Sequence, residues 1–261
     1  MKLNCRNLFS LVIFLLLFLP AKGQEASKKR WDVSVSYGLA LPLDGFSKVT
    51  PEKSIIYTPL GTPQLNGLYK RNNSSAKPGY YLSVNTSYNV SKKIAISLEV
   101  ARAVNEVNVA PINDFVKLLF PSGAEFVQDS YRTSFILPGI SYFHKLLAWE
   151  LTLTQKIGVG ILDFPDYKID LIDPNTGLVF ATVKDEGNKP ASVAVMAGWN
   201  LAGRYSVNQH IFVGVDMGLS LANFIYNFQL RMVPGGSTTI YFSDAVTYRQ
   251  ANLGLRVGYR F

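Results

Sequence analysis

The final stretch of the chain, residues 246–261, alternates strictly between two kinds of side chain and ends on an aromatic residue. From Ala251 onward every odd-numbered residue is apolar, whereas every even-numbered residue is Asn, Gly or Arg. A period of two is the mark of a β-strand whose faces meet different surroundings. A surface strand of a soluble sheet also alternates, but that interpretation leaves the aromatic end unexplained. The stretch therefore predicts a strand with one apolar face, one polar face and a terminal Phe261.

Seven earlier segments repeat this alternation: residues 31–41, 80–90, 94–104, 131–143, 149–162, 191–205 and 211–225. Each is longer than the ~5–6 residues of a typical soluble strand and long enough for the ~9–11 residues of a tilted membrane strand. The connections between the segments alternate in length. The pattern predicts an all-β fold, an eight-stranded antiparallel up-and-down transmembrane β-barrel with four long extracellular loops and three short periplasmic turns. A soluble lipocalin-like barrel is the alternative, and its apolar face would point inward.

Aromatic residues fall near both ends of the predicted strands. The set expected at the periplasmic ends is Trp31, Trp149, Tyr205, Tyr259 and Phe261, and the set expected towards the outer ends is Tyr80, Tyr131, Tyr226 and Tyr248. Two aromatic girdles around an aliphatic band are typical of a barrel in lipid. Stacking platforms for nucleic acid are the rival interpretation, but no basic cluster lies between the two levels, so we expect no nucleic-acid partner.

Three local features complete the expected layout. The apolar residues of segment 131–143 switch phase at Pro138-Gly139, which predicts a β-bulge there. Residues 113–120 predict a short helix with an Asn or Asp cap. Residues 168–172 and 178–184 flank a turn-forming sequence and predict a hairpin. The connections 168–184 and 228–243 are expected to project strand edges suited to pairing with a partner.

The first residues predict a secretory signal peptide. Lys2 and Arg6 precede an apolar run, and Ala21-Lys22-Gly23 fits a small-x-small cleavage site. The predicted domains are therefore a signal peptide over residues 1–23 and an outer-membrane barrel over 24–261, with a retained signal anchor as the alternative. Cys5, the chain's one cysteine, would be removed with the signal. We therefore expect no disulfide, no thiolate metal site and no cysteine nucleophile in the mature protein.

Cleavage would also lower the formal net charge from +8 to +5, because Lys2, Arg6 and Lys22 leave with the signal. Dispersed positive charge on an exported protein favours anionic membrane lipid or lipopolysaccharide as its surroundings.

Charged residues lie on the predicted inner face of the barrel. Counting strand positions brings Glu99, Lys156, Asp216 and Arg256 to similar depth, and Asp32 and Arg260 should meet where the first and last strands join. Buried charges need partners, and an eight-stranded barrel is just wide enough for its own side chains. These residues predict a structural charge network that plugs the lumen; an ion or proton path is the alternative.

The residues that carry most enzyme chemistry are missing from the predicted outer rim. The chain has two histidines, His144 and His210, and both fall near short periplasmic turns. No Ser-His-Asp constellation, metal-ligand spacing or phosphate-binding glycine loop is present. The sequence predicts a non-enzymatic protein with no cofactor and no metal, and leaves an enzyme that uses only carboxylates as an alternative.

The chain's end, with Val257, Tyr259 and Phe261 at alternating positions, resembles the C-terminal assembly signal of bacterial outer-membrane barrels. The chain beyond residue 23 resembles the small outer-membrane β-barrel proteins of Gram-negative bacteria, of the OmpX and OmpA-barrel type, with a loop composition similar to barrel-domain proteins of Bacteroidota. This resemblance implies an outer-membrane location and recognition by the barrel assembly machinery. It implies a role in surface or envelope protein interactions, with an accessory subunit of an export or assembly complex, a narrow pore and a lipid-modifying enzyme as alternatives.

Overall fold

The computed structural model describes residues 31–49, 57–58, 64–65, 74–119, 124–146, 149–173, 175–185, 191–233 and 240–261. The predicted signal peptide and cleavage site lie outside these residues. The long strands are β1 (Trp31–Pro42), β4 (Gly79–Asn89), β5 (Ile94–Asn105), β7 (Tyr131–Leu146), β8 (Trp149–Asp163), β11 (Ser192–Ser206), β12 (Ile211–Val233) and β13 (Ile240–Arg260). The smaller elements are β2 (Tyr57–Thr58), β3 (Gln64–Leu65), β6 (Ala124–Gln128), β9 (Tyr167–Ile172), β10 (Val179–Asp185), a 3-10 helix (Asp44–Phe46) and α1 (Ala110–Leu119). Among the described residues, no helix has the length and apolar character to cross a membrane.

The eight long strands close into an antiparallel barrel. Their order around the wall is β1, β4, β5, β7, β8, β11, β12 and β13, and β13 then pairs with β1. The closing register runs from Asp32 opposite Arg260 to Pro42 opposite Gln250. The eight-stranded antiparallel barrel is thus confirmed. We call the end that carries Trp31 and Arg260 the terminal end, and the opposite end the loop end.

Apolar side chains face outward and polar side chains face inward along most of the wall. Leu255 and Val195 are each 71% exposed on the outside, whereas Asp216 on the inside is 1% exposed. A soluble barrel would bury its apolar face. The orientation is therefore that of a barrel surrounded by an apolar medium.

Aromatic side chains ring the outside of the terminal end. Trp31 packs on Tyr88 with ring centroids 4.9 Å apart, and Trp149 packs on Tyr205 at 5.4 Å. Tyr259 and Phe261 are also exposed and contact each other. The predicted aromatic girdle is present at this end.

The predicted girdle at the loop end is wrong for two of its members. Tyr131 and Tyr248 are completely buried inside the barrel, because both lie on the inward-facing register of their strands. Tyr80 does face outward and is 49% exposed. The side chain of Tyr226 lies outside the described residues.

An apolar core fills the loop end of the lumen. Phe46, from the 3-10 helix after β1, packs edge-on against Tyr131 and at a tilt against Tyr248, with ring centroids 5.3 and 4.8 Å away. The hydroxyl of Tyr131 donates a hydrogen bond to the carbonyl oxygen of Ser74 at 3.0 Å. Residues of the first long connection therefore fold back into the barrel and close it from this end.

The predicted bulge at Pro138-Gly139 is wrong. The register between β5 and β7 runs unbroken from Ile94 opposite Tyr142 to Asn105 opposite Tyr131. On the other side, β7 keeps one register with β8, with pairing interrupted only around Pro138. The switch of apolar phase arises because Phe135 and Leu137 point into the apolar core, so that both faces of this part of β7 are apolar.

The predicted helix at residues 113–120 is present but displaced. It spans Ala110–Leu119, so that Asn113 lies inside its first turns instead of capping it. The backbone N–H of Asn113 donates to the carbonyl oxygen of Val109, which is the first helical hydrogen bond.

Strands β12 and β13 continue past the wall as a ribbon. The pairing of β12 with β11 ends at Ala222, whereas its pairing with β13 extends to Leu230 opposite Ile240. Strand β10 pairs with the end of β12, β9 with β10, and β6 with β9. We call β6, β9, β10 and the outer parts of β12 and β13 the loop-end sheet.

The predicted hairpin at 168–184 is confirmed, since β9 and β10 pair antiparallel. The expectation that this hairpin projects free strand edges is wrong. The outer edge of β10 is paired with β12 along Thr182–Asp185, and the outer edge of β9 is paired with β6 along Tyr167–Leu171. These pairings satisfy the backbone groups that a free edge would expose.

The closing seam contains a glycine position that has no room for a larger residue. Gly38 lies opposite Gly254, and a Cβ at position 38 would overlap the carbonyl oxygen of Leu253 and the Cα of Gly254. We expect Gly38→Ala to lower the free energy of unfolding by about 1–3 kcal/mol, because the backbones must separate. The check is urea unfolding in detergent micelles, with Gly203→Ala as control, since a Cβ there meets its nearest neighbour at an ordinary 3.8 Å. Equal effects of the two substitutions would contradict this account of the seam.

Candidate functional site

Four charged side chains from four strands meet inside the terminal end. Arg204 Nη1 lies 3.2 Å from Asp32 Oδ2 and 3.3 Å from Glu150 Oε1. Arg260 Nε lies 3.0 Å from Asp32 Oδ1, and its Nη2 lies 3.4 Å from Glu150 Oε1. Two acids and two bases are thus paired crosswise. We call these four residues the terminal cluster.

Aromatic rings pack against the two guanidinium groups of the terminal cluster. The Cζ of Arg204 lies 5.0 Å from the centroid of Phe212 and 5.6 Å from that of Phe143. Arg260 approaches the same Phe212 ring at 5.7 Å. Phe212 is 1% exposed and occupies the space over Gly258, where a Cβ would overlap its ring. Rings and paired charges together fill the terminal end of the lumen.

Two further charge pairs lie deeper in the lumen. Lys156 forms a salt bridge with Glu99, which also accepts a hydrogen bond from the hydroxyl of Tyr81 at 2.7 Å. Arg256 Nε lies 3.6 Å from Asp216 Oδ1 and donates a hydrogen bond to Ser36 Oγ at 3.0 Å. Both pairs are almost fully buried. We call the two pairs the middle layer.

The structure therefore brings the six sequence-predicted lumen charges together in two levels. Lys156, Glu99, Asp216 and Arg256 form the middle layer, and Asp32 and Arg260 belong to the terminal cluster. Sequence reasoning missed Arg204, Glu150 and Tyr81. The alternation of their strands already assigns all three to the polar face, and this signal was sufficient to find them.

The three residues predicted to form an assembly signal lie on the outside of the seam. Val257 is 58% exposed, Tyr259 42% and Phe261 61%. Val257 lies opposite Val35, and Tyr259 lies opposite Val33. Both residues therefore belong to the stretch of β13 that pairs with β1 and closes the barrel.

The two histidines lie at the terminal end, away from the loop-end sheet. The Nδ1 of His210 lies 3.1 Å from the carbonyl oxygen of Arg260, and its ring stacks on Tyr259. His144 lies near the end of β7. Across the described ranges, no group of three or more His, Cys, Asp or Glu side chains is arranged to hold a metal ion.

A buried carboxylate joins the strands of the hairpin in the loop-end sheet. Asp170 accepts hydrogen bonds from Thr182 Oγ1 at 2.7 Å and from Lys168 Nζ at 2.6 Å. Burial opposes its ionisation, but these two hydrogen bonds and the positive charge of Lys168 outweigh burial and lower the pKa of Asp170. The carboxylate is therefore ionised at neutral pH and ties β9 to β10.

The hairpin tip carries three consecutive exposed apolar residues. Leu178 is 69% exposed, Val179 53% and Phe180 57%. Asp173 fixes the preceding turn, since its side chain accepts hydrogen bonds from the backbone N–H of Asn175 at 2.9 Å and from Thr176 Oγ1 at 3.1 Å. We call residues 178–180 the apolar tip. Its position beyond the wall is set by the pairing of β10 with β12.

Comparisons with known proteins find structures of similar fold. No family model and no curated protein sequence matches the chain. Neisserial surface protein A matches with a TM-score of 0.44 and 10% identity, over 91% of this chain and 100% of its own. The outer membrane protein OprG from Pseudomonas aeruginosa matches with a TM-score of 0.44 and 14% identity, over 89% and 97%. The outer membrane protease OmpT from Escherichia coli matches with a TM-score of 0.43 and 9% identity, over 92% and 99%. Likenesses of this degree do not establish what this chain does.

Proposed function

We propose that the protein is an integral barrel of the bacterial outer membrane, without enzymatic activity, that acts in surface or envelope protein interactions through its loop-end sheet. The observation that carries the membrane location is the outward apolar face of a closed barrel, with Leu255, Val195 and Ile140 each more than 60% exposed. A bilayer removes such a face from water, and a closed barrel leaves no unpaired backbone edge within it. The C-terminal strand then serves as the signal for the barrel assembly machinery.

The filled lumen supports a structural role for the inner charges. The terminal cluster and the middle layer pair each acid with a base, and the apolar core around Phe46 closes the other end. An ion path needs charged groups that water can reach, whereas the two ion pairs of the middle layer are almost fully buried. A plug therefore accounts for the lumen better than a pore does.

The apolar tip supports a role at the surface. Exposed apolar residues cost little singly, but three in succession on a strand-paired hairpin form a preorganised contact. Aromatic and aliphatic anchors of this kind dominate binding when a partner provides an apolar pocket. The partner we propose is accordingly a protein of the envelope or of the cell's surroundings, with the loop-end sheet facing outward from the cell.

The test is purification of a tagged copy in mild detergent, with quantitative mass spectrometry of its companions. We expect a stoichiometric companion to be lost, by about tenfold or more, when Leu178 and Phe180 are both replaced by Ser, because anchor residues contribute ~2 kcal/mol or more each. Val207→Ser is the matched control, because Val207 is equally exposed, at 57%, but lies in a terminal-end turn.

A companion retained by the tip variant but lost on substitutions of the outer wall would instead make the protein an accessory subunit held through its barrel. Recovery of the barrel alone, with no companion, would contradict the proposed surface role. A changed lipid A mass profile in a deletion strain would favour the lipid-modifying enzyme.

A further inference from the structure

The outer wall has a shallow groove across four adjacent strands. It has a volume of about 380 Å³ and is bordered by apolar residues of β4, β5, β7 and β8, among them Leu82, Val100, Ile136 and Ile161. Three polar residues border it: Ser83, which is buried, and Arg102 and Ser134, which lie directly opposite each other on β5 and β7. The groove therefore lies where a short serine stands between the longer side chains of Arg132 and Ile136 on the same face of β7.

Arg102 is a cation beside the apolar residues of the groove. It is exposed and lies between Leu82 on β4 and Ser134 on β7. The residues diagonal to it on these two strands are Tyr80, Val84, Arg132 and Ile136. No acid is thus found opposite or diagonal to Arg102 among these described positions.

A second cation lies one row nearer the loop end. Arg132 points to the same side of the wall as Arg102, two residues before Ser134 on β7. Diagonal neighbours on paired strands lie ~7–8 Å apart, within reach of two long side chains. Asp129 lies 3.7 Å from Arg132 and Asp163 lies opposite it, so that Arg132 is partly neutralised. Arg102 is the stronger anion-binding group of the two.

The depth of Arg102 fits the level of a lipid phosphate. Tyr80, an outward aromatic, lies opposite Val104, only two residues further along β5. Arginine on the lipid face is costly at the bilayer midplane but costs only ~0–1 kcal/mol near the interface, where a phosphate oxygen replaces water. The apolar groove beside Arg102 matches the acyl chain of the same lipid.

We propose that this groove is a binding site for one phosphate-bearing lipid, whose phosphate contacts Arg102, with Arg132 next to it, and whose acyl chain lies over Ser134. This inference rests on the proposed membrane location. It assigns a specific ligand to one part of the wall, in addition to the general lipid contact that any barrel makes.

The test measures lipid retained by the folded protein in native mass spectrometry. Phosphatidic acid and diacylglycerol with identical chains are the probes, because they differ only in the phosphate. We expect phosphatidic acid to be retained about tenfold better than diacylglycerol, because a hydrogen bond between the Arg102 guanidinium and a phosphate is stronger than one between neutral groups. Arg102→Gln should reduce phosphatidic acid to the level of diacylglycerol, and Ser134→Leu, which fills the groove, should reduce both.

Two control variants keep the outcome specific. Arg249→Gln removes an arginine that is paired with Asp44 outside the groove, and Ala197→Leu adds the same bulk to the wall at β11. Equal retention of the two lipids, or unchanged retention in Arg102→Gln and Ser134→Leu, would overturn the inference. Variants that fail to bind lipid but fold and enter the outer membrane leave the proposed function standing, whereas a chain absent from that membrane contradicts the proposed function itself.

Discussion

Replacing Arg204 by Ala is expected to lower the free energy of unfolding by about 3–5 kcal/mol, the range found when one partner of a buried ion pair is removed. Arg204 is 5% exposed and contacts both carboxylates of the terminal cluster. Without it the buried carboxylate of Asp32 and the half-buried carboxylate of Glu150 share the single charge of Arg260. The packing of the guanidinium on Phe212 is lost as well.

Urea unfolding in detergent micelles, followed by the shift in gel migration between folded and unfolded barrel, measures this effect. Arg249→Ala is the control, because Arg249 forms a geometrically good pair with Asp44, at 2.7 Å, in which both side chains are about half exposed or more. An exposed pair contributes only ~0–1 kcal/mol. Equal losses for Arg204 and Arg249 would contradict a structural role for the terminal cluster.

Removing Lys156 alone is expected to destabilise the barrel far more than removing Lys156 and Glu99 together. Lys156→Met leaves the carboxylate of Glu99 buried with Tyr81 as its remaining hydrogen-bond donor, at a cost of about 3–5 kcal/mol. The double variant Glu99→Leu/Lys156→Met leaves no charge behind, and a buried pair replaced by apolar residues is often neutral within ~1–2 kcal/mol. A double-mutant cycle in the same unfolding assay therefore yields a large coupling energy.

The same residues separate a plug from an ion path. A plugged lumen predicts that the wild-type protein shows no defined conductance in planar bilayers. A wild-type conductance that Lys156→Met abolishes, together with additive stability effects in the cycle, would show that Lys156 serves ion passage rather than packing.

The strands and their facing could be read from the sequence because alternation is a local property. Residues 31–41 alternate between two sides, and in the structure the odd-numbered side chains face outward while the even-numbered ones face the lumen. The seam partner of Asp32 also followed, because a closed barrel must bring the first strand beside the last, where Arg260 lies. Arg204 and Glu150 follow the same alternation, so their inward position could also be predicted from the sequence.

The apolar core at the loop end could not be predicted from local sequence patterns. Tyr131 and Tyr248 look like interfacial aromatics until Phe46 from the first long connection packs between them. That contact joins residues far apart in the chain and has no periodicity. The mistaken bulge at Pro138 has the same origin, because apolar Leu137 points into this core. The pairing of β10 with β12 depends likewise on how far β12 extends beyond the wall, which hydrophobic periodicity does not report.

The measurement that tests the central claim most directly is the accessibility of a single spin label on the outer wall, in isolated outer membranes. Cys5 is the chain's one cysteine, so that in a Cys5→Ser background a cysteine introduced at Leu255 carries the only label on this protein. We predict that a nitroxide at Leu255 collides readily with oxygen and is shielded from a water-soluble nickel complex, because lipid surrounds it. The same label at Lys92, in an exposed turn, should show the opposite order. A label at Leu255 that the nickel complex reaches as easily as it reaches Lys92 would contradict a membrane-spanning barrel.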